Sequence, residues 1–247
     1  MDRYLRQRLY KNIGNKQELI RKASVSIIGL GALGSVCADL LCRAGIGKLY
    51  LFDYEKVELI NLQRQFYDEK DVGKFKTFST KRRLEKINSD VDVFAFNKRI
   101  NEKNLELIEK TKSDYILVCT DDMATRFLLN EFCINKKKVF ITGLVSGSKG
   151  YLMKVDNRLR NNKSLRNNKK DFPCFSCVFK KESCFNCQTQ GILNSLSVLM
   201  ASLIANETIK SIVLEKEKRE NFLLLSTEIW NNEFQRIKVN GKCGLHS

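Results

Sequence analysis

Ala23-Ser24-Val25-Ser26-Ile27-Ile28-Gly29-Leu30-Gly31-Ala32-Leu33-Gly34 opens the stretch whose reading decides the fold, and Lys48-Leu49-Tyr50-Leu51-Phe52-Asp53 closes it. The opening run is short, β-branched and bounded by glycine, which predicts a buried strand. Apolar residues then recur at helical spacing through Ala44, and a second strand pattern ends at Asp53. Strand, tight turn, helix and strand make a βαβ unit with parallel strands. Further strands are predicted at residues 91–96, 115–119 and 139–142, with helical stretches between them. That alternation predicts an α/β fold with a doubly wound, mainly parallel, Rossmann-like sheet. Residues 192–213 read as a long apolar helix. Strand patterns at 222–225 and 234–239, with no crossover helix between them, predict an antiparallel hairpin that extends the sheet.

The glycine turn carries the first chemical signal. Gly29, Gly31 and Gly34 permit a tight turn and close approach of backbone to a ligand, and the helix N-terminus that follows favours an anion. Asp53, at the end of the next strand, is placed to accept hydrogen bonds from a ribose. Alone, these features specify a nucleotide. They leave open an NAD-dependent oxidoreductase and a purely structural βα turn.

Composition narrows the classes. The chain has 247 residues, 43% of them hydrophobic, and a formal charge of +16. That supports a full core, and we expect one domain. The N-terminal residues lack a signal-peptide apolar region, and no stretch approaches the roughly 18 apolar residues of a membrane span. A cytoplasmic protein with no membrane partner is expected. The positive charge invites a nucleic-acid reading, but the cations are spread along the chain without an aromatic-interleaved RNA motif or recognition-helix signature. A solvated basic surface that attracts an acidic protein and a triphosphate is the preferred interpretation.

After Asp53 comes Tyr54-Glu55-Lys56-Val57-Glu58-Leu59-Ile60-Asn61-Leu62-Gln63-Arg64-Gln65-Phe66. An acidic strand end leading into Asn-Leu-x-Arg-Gln resembles the signature of the ThiF/MoeB family of adenylating enzymes. Arg3-Tyr4-Leu5-Arg6-Gln7 is similar to that family's Arg-Tyr-x-Arg-Gln element, and Cys119-Thr120-Asp121-Asp122 to its Cys-Thr-Asp-Asn, with Asp122 in the place of asparagine. The resemblance covers nearly the whole chain. It implies ATP-dependent adenylation of the C-terminal glycine carboxylate of a ubiquitin-like carrier protein ending in Gly-Gly, with release of pyrophosphate. It also implies a homodimer. Arg64, Asn61, Gln65 and Lys76 would then contact the nucleotide, Asp121 would hold magnesium, and Arg6 would reach the partner subunit's ATP site. Chemically, Arg64 offers a fixed fork of donors and Lys76 a point charge for phosphate oxygens. No general base is needed, and the only histidine is His246.

Nine cysteines without an export signal read as reduced thiols, metal ligands or a nucleophile. Cys174-x-x-Cys177 has the bite of a zinc knuckle, which needs two more ligands. Two completions are open. The family resemblance implies a pair near the C-terminus, where Cys243 and His246 stand at the same spacing. The alternative is Cys184 with Cys187. Against it, the residues around Cys187 resemble the family segment whose reactive cysteine joins the carrier through a thioester or acyl persulfide. Cys37, Cys42, Cys119 and Cys133 sit in apolar patterns and are expected in the core.

The expected organisation is an N-terminal helical arm over 1–22, a nucleotide-binding core over 23–155, a mobile crossover loop over 156–191, and a segment 192–247 with the long helix, the late strands and the terminal zinc ligands. The residues that carry substrate choice within the family are not legible.

Overall fold

A computed structural model describes residues 2–160, 172–180, 191–215, 218–239 and 243. Eight strands form one sheet in the order β3-β2-β1-β4-β5-β6-β7-β8. They are β1 (Ser24–Ile28), β2 (Lys48–Asp53), β3 (Asp92–Asn97), β4 (Tyr115–Val118), β5 (Val139–Ser146), β6 (Lys149–Asp156), β7 (Phe222–Glu228) and β8 (Glu233–Arg236). The first five are parallel, and β6, β7 and β8 continue the sheet antiparallel. This is the doubly wound α/β architecture expected, with its late hairpin.

The eight helices of the described residues are α1 (Leu5–Arg8), α2 (Gln17–Lys22), α3 (Gly34–Arg43), α4 (Lys76–Ile87), α5 (Glu106–Lys110), α6 (Met123–Asn135), α7 (Phe175–Val178) and α8 (Asn194–Val213). Side chains of β1 alternate between two cores. Val25 and Ile27 pack with α3, α4 and α8, whereas Ile28 packs with α5, α6 and α7. A strand covered on both faces must be apolar almost throughout, which is why the run at 23–28 carried a strong signal. The helix α8 is long and apolar enough to cross a membrane by composition, but 61% of its apolar window is buried within the fold. Its Leu196, Met200, Ala201 and Ile204 belong to the core.

Strand β6 was not anticipated, because glycine and charges interrupt its pattern. Gly150 is dictated by packing, since a Cβ there would lie 2.8 Å from the Met200 sulfur. Lys154 is 3% exposed and meets Glu207 of α8 at 2.9 Å. Its charge is compensated by a residue far away in sequence, which a local reading cannot see. Strand β8 is also shorter than expected, ending at Arg236.

Parallel strands β1, β2 and β3 run to one side of the chain's starting point, while β4 and β5 run to the other. The connection therefore reverses between β1 and β4, and a crevice opens beyond their carboxyl ends.

Candidate active site

A cavity of about 660 Å³ occupies that crevice, within the usual range for a small-molecule site. Its floor is the glycine turn. The Gly29 amide bonds to Phe52 O at 2.8 Å, and Gly29 adopts φ +89°. A Cβ there would meet the Thr120 amide at 2.7 Å, so glycine lets β1 and β4 close together. Gly31 faces open space, with Gln65 Nε2 as the nearest atom, 3.8 Å from where its Cβ would be. Gly34 corrects the sequence reading, because it does not line the cavity. A Cβ on it would fall 1.9 Å from Gly29 O, so it serves the closeness of turn and helix and not the ligand.

Asp53 lies 7% exposed at the end of β2. One carboxylate oxygen accepts from the Leu30 amide at 2.6 Å and the other from the Glu55 amide at 2.8 Å. It thus ties the glycine turn to β2 while still lining the cavity. Burial pushes its carboxyl above the ordinary aspartate range, and these amides, with nearby Lys76, offset that only in part.

Asn61, Arg64 and Gln65 all line the cavity. Asn61 ends a single 3₁₀ turn at Leu59–Asn61, closed by a capping box between Glu58 and Asn61, and Arg64 and Gln65 follow it. The Asn61 carbonyl oxygen accepts from the Glu58 amide at 3.1 Å, so Asn61 also sets the turn that aims the two residues after it. Arg64 is half-buried and donates to Ile60 O at 3.0 Å. Gln65 is buried, and its amide oxygen has no hydrogen-bond partner among the described residues. A buried acceptor left open costs about 1–3 kcal/mol, whereas the Gln65 Nε2 donor is the group that faces Gly31.

Lys76 is the first residue of α4, 3% exposed, and pairs with the half-exposed Glu55. A cation at a helix N-terminus opposes the macrodipole. Buried there, it adds to the positive potential of the helix end facing the cavity. Asp121, beyond the end of β4, is exposed and has no hydrogen-bond partner among the described residues. Asp122 behaves differently. It caps α6 by accepting from the Ala124 amide at 3.1 Å, accepts from the Thr125 hydroxyl at 2.7 Å, and pairs with Arg99 at 3.2 Å. Burial pushes its carboxyl up, but these partners outweigh that and hold it below the usual aspartate range.

Sequence reasoning missed Arg126. It is 4% exposed on α6, lines the cavity, and donates to the Thr142 hydroxyl and, at 2.9 Å, to Gly143 O. Burial lowers its guanidinium to about 10, and its Nε has no partner among the described residues. A cation one turn after Asp122, at the start of the helix, was the available signal. Arg6, by contrast, is exposed on α1 and does not line this cavity.

Away from the crevice, the sulfurs of Cys174, Cys177 and Cys243 lie within 4.8 Å of one another. Cys174 is 3.6 Å from Cys177 and 3.5 Å from Cys243, beside Ile134. Cys184, Cys187 and His246 lie outside the described residues, as does most of the predicted crossover loop.

Residues 4–245 match the ThiF family profile. The chain belongs to the ThiF family. Among curated relatives, the adenylyltransferase and sulfurtransferase MOCS3 of Drosophila willistoni is 36% identical over 246 residues, covering 97% of this chain and 51% of the relative. MOCS3 of Culex quinquefasciatus is 32% identical over 247 residues, covering 97% and 53% respectively. This ThiF family chain thus spans about half the length of the curated relatives it matches. Among solved structures, E. coli MccB with succinimide superposes with a TM-score of 0.79 at 23% identity, covering 99% of this chain and 75% of that one. PaaA superposes with a TM-score of 0.73 at 21% identity, covering 96% and 72%. At those identities the likeness establishes the shared fold.

Proposed function

We propose that this ThiF family chain adenylates the C-terminal glycine carboxylate of a ubiquitin-like carrier protein, using ATP. The observation that carries the reading is the convergence of Arg64, Lys76 and Asp121 on one cavity floored by a glycine turn. The carboxylate oxygen attacks the α-phosphorus, the bond to the bridging oxygen breaks, and pyrophosphate leaves with the electron pair. The nucleophile is already anionic, so the protein aligns it and neutralises charge. Asp53 holds the ribose, the turn amides from Gly31 to Leu33 and the cations of Arg64 and Lys76 meet the phosphates, and buried Arg126 adds positive potential beneath them. The wall formed by Leu144, Val145, Gly191 and Ile192 suits a tail of glycines, which brings no side chains. An NAD-dependent oxidoreductase or a nucleic-acid binder would leave the Asn61-to-Gln65 run without a task.

The exposed, unbonded Asp121 carboxylate fits a magnesium ion, which would supply charge neutralisation at the phosphates. The three sulfurs fit zinc. A tetrahedral site with Zn–S near 2.3 Å needs sulfurs about 3.8 Å apart, against the 3.6 and 3.5 Å found. His246 is the fourth ligand in our reading, and the metal would brace the two chain segments. Exposed Leu5, Leu9, Leu59 and Ile60 supply apolar surface for a second copy, which would bring its Arg6 to the site. The Cys187 thiolate would then attack the acyl adenylate, releasing AMP and leaving a thioester. A reducing cytoplasmic setting suits the free thiols among the described cysteines.

The test is carrier-dependent exchange of labelled pyrophosphate into ATP. Exchange is expected with a carrier ending in Gly-Gly and lost in Asp121→Ala. Background exchange with every such carrier, and no difference for Asp121→Ala, would overturn the proposal.

A further inference from the structure

Strands β3 and β4 are separated in the sheet by β2 and β1. At about 4.8 Å per strand step, their ends are some 14 Å apart. Yet Arg99, two residues past β3, meets Asp122, past β4, at 3.2 Å. The pair must therefore reach across the front of the crevice. A third side chain locates the crossing point, because the Arg99 guanidinium sits 5.4 Å over the Tyr54 ring, just beyond the end of β2. All three residues line the cavity. Arg99 is 58% exposed, so the bridge is built on the surface side and not within the core.

In the ATP reading, the phosphates would face the glycine turn after β1 and the ribose Asp53 at the end of β2, so the base would continue toward β3. The base then arrives at Tyr54 and Arg99. Guanidinium planes and phenol rings both stack on nucleobases. Asp122 is also where this chain departs from the asparagine of the family pattern. An asparagine could still cap α6 and accept from Thr125, but it could not form the ion pair.

We propose that Arg99, held by Asp122 over Tyr54, is a clasp that covers the base of the bound nucleotide and favours purines. This rests on the reading of the cavity as an ATP site. Asp122 is a positioning residue, acting through Arg99. Because Arg99 is exposed, breaking the pair is expected to have a modest effect and removing the stacking group a larger one.

The experiment is calorimetric titration of the full chain with magnesium-ATP, magnesium-CTP and tripolyphosphate, the last carrying the phosphates but no base. Asp122→Asn is expected to weaken ATP about 3-fold, the scale of an exposed ion pair. Arg99→Ala should weaken it about 10-fold and erase most of the preference over CTP, the scale of one stacking contact. Combining them should cost little beyond Arg99→Ala alone, since Asp122 would no longer have anything to hold. Tripolyphosphate affinity should stay within about 2-fold throughout, within ordinary additivity error. Unchanged ATP affinity in Arg99→Ala would overturn the clasp. So would equal losses for ATP and tripolyphosphate, which would mean a general disturbance of the site. A native chain that binds no magnesium-ATP would overturn the ATP reading itself, and the clasp with it.

Discussion

The nucleotide crevice and the cysteine cluster are both assembled from distant residues, but they are held by different forces. The crevice is framed by backbone. Glycine 29 lets two strands close, Asp53 ties the turn to β2 through two amide bonds, and Lys76 is fixed by the start of a helix. The cluster is closed by side chains, with Cys243 reaching a sulfur 69 positions away, while Cys174 and Cys177 share one backbone hydrogen bond at 3.0 Å. A site built on strand ends exists before its ligand arrives, whereas one built on thiols leans on the ion it binds. The crevice should therefore fail in chemistry when altered, and the cluster in stability.

The largest expected effect tests the first half of that contrast. Lys76→Ala should lower pyrophosphate exchange roughly 1,000-fold, the scale of losing one preorganised charge at a transition state, while circular dichroism and melting stay close to native. A melting temperature that collapses with the activity would show that Lys76 holds the fold and not the phosphates. Next, Cys174→Ser should destabilise by about 3 kcal/mol, lowering the melting temperature by roughly 10 °C. Chelator treatment of the native protein should reproduce that shift and add nothing to the variant. Equal melting with and without chelator would remove the metal from the account.

Gly34→Ala sharpens the boundary between frame and ligand contact. Its Cβ would press on Gly29 O, so we expect about 2 kcal/mol of lost stability from overpacking, with ATP affinity falling through displacement of the turn. Affinity loss without destabilisation would return Gly34 to the ligand-contacting set. The smallest effect concerns β6, which pairs with β5, the strand that supplies Leu144 and Val145 to the crevice wall. Burial pushes the Glu207 carboxyl up, but Lys154 and Lys210 outweigh it, and the group lies below the ordinary value of 4.5. Its folded value is depressed, so its stabilising contribution is complete above pH 4.5 and is lost as pH falls below it. In chelated protein, where cysteine protonation no longer matters, Glu207→Gln should flatten the acid side of the stability profile below pH 4.5. An unaltered acid profile would contradict that assignment.

What was legible in the sequence follows the same division. The residues from 23 to 34, Asp53, the run from Asn61 to Gln65, Lys76 and Asp121 are each set by a local pattern at a strand end or helix start, and the topology brings those ends together. Arg126 and the Arg99–Asp122 pair were not legible, because their meaning depends on partners across the sheet. Strand β6 was hidden for the same reason, its buried lysine making sense only beside Glu207. Gly34 was recognised as part of the turn, but only coordinates separate a glycine that admits a ligand from one that admits a helix.

The central claim is that one crevice gathers Arg64, Lys76 and Asp121 around nucleotide phosphates. A crystal structure with magnesium and an ATP analogue that cannot be cleaved between its α- and β-phosphates tests it most directly. The account predicts phosphates lying between the glycine turn and the Arg64 and Lys76 cations, with the metal on Asp121 and the ribose on Asp53. Phosphates bound elsewhere, or pointing away from those three side chains, would contradict it.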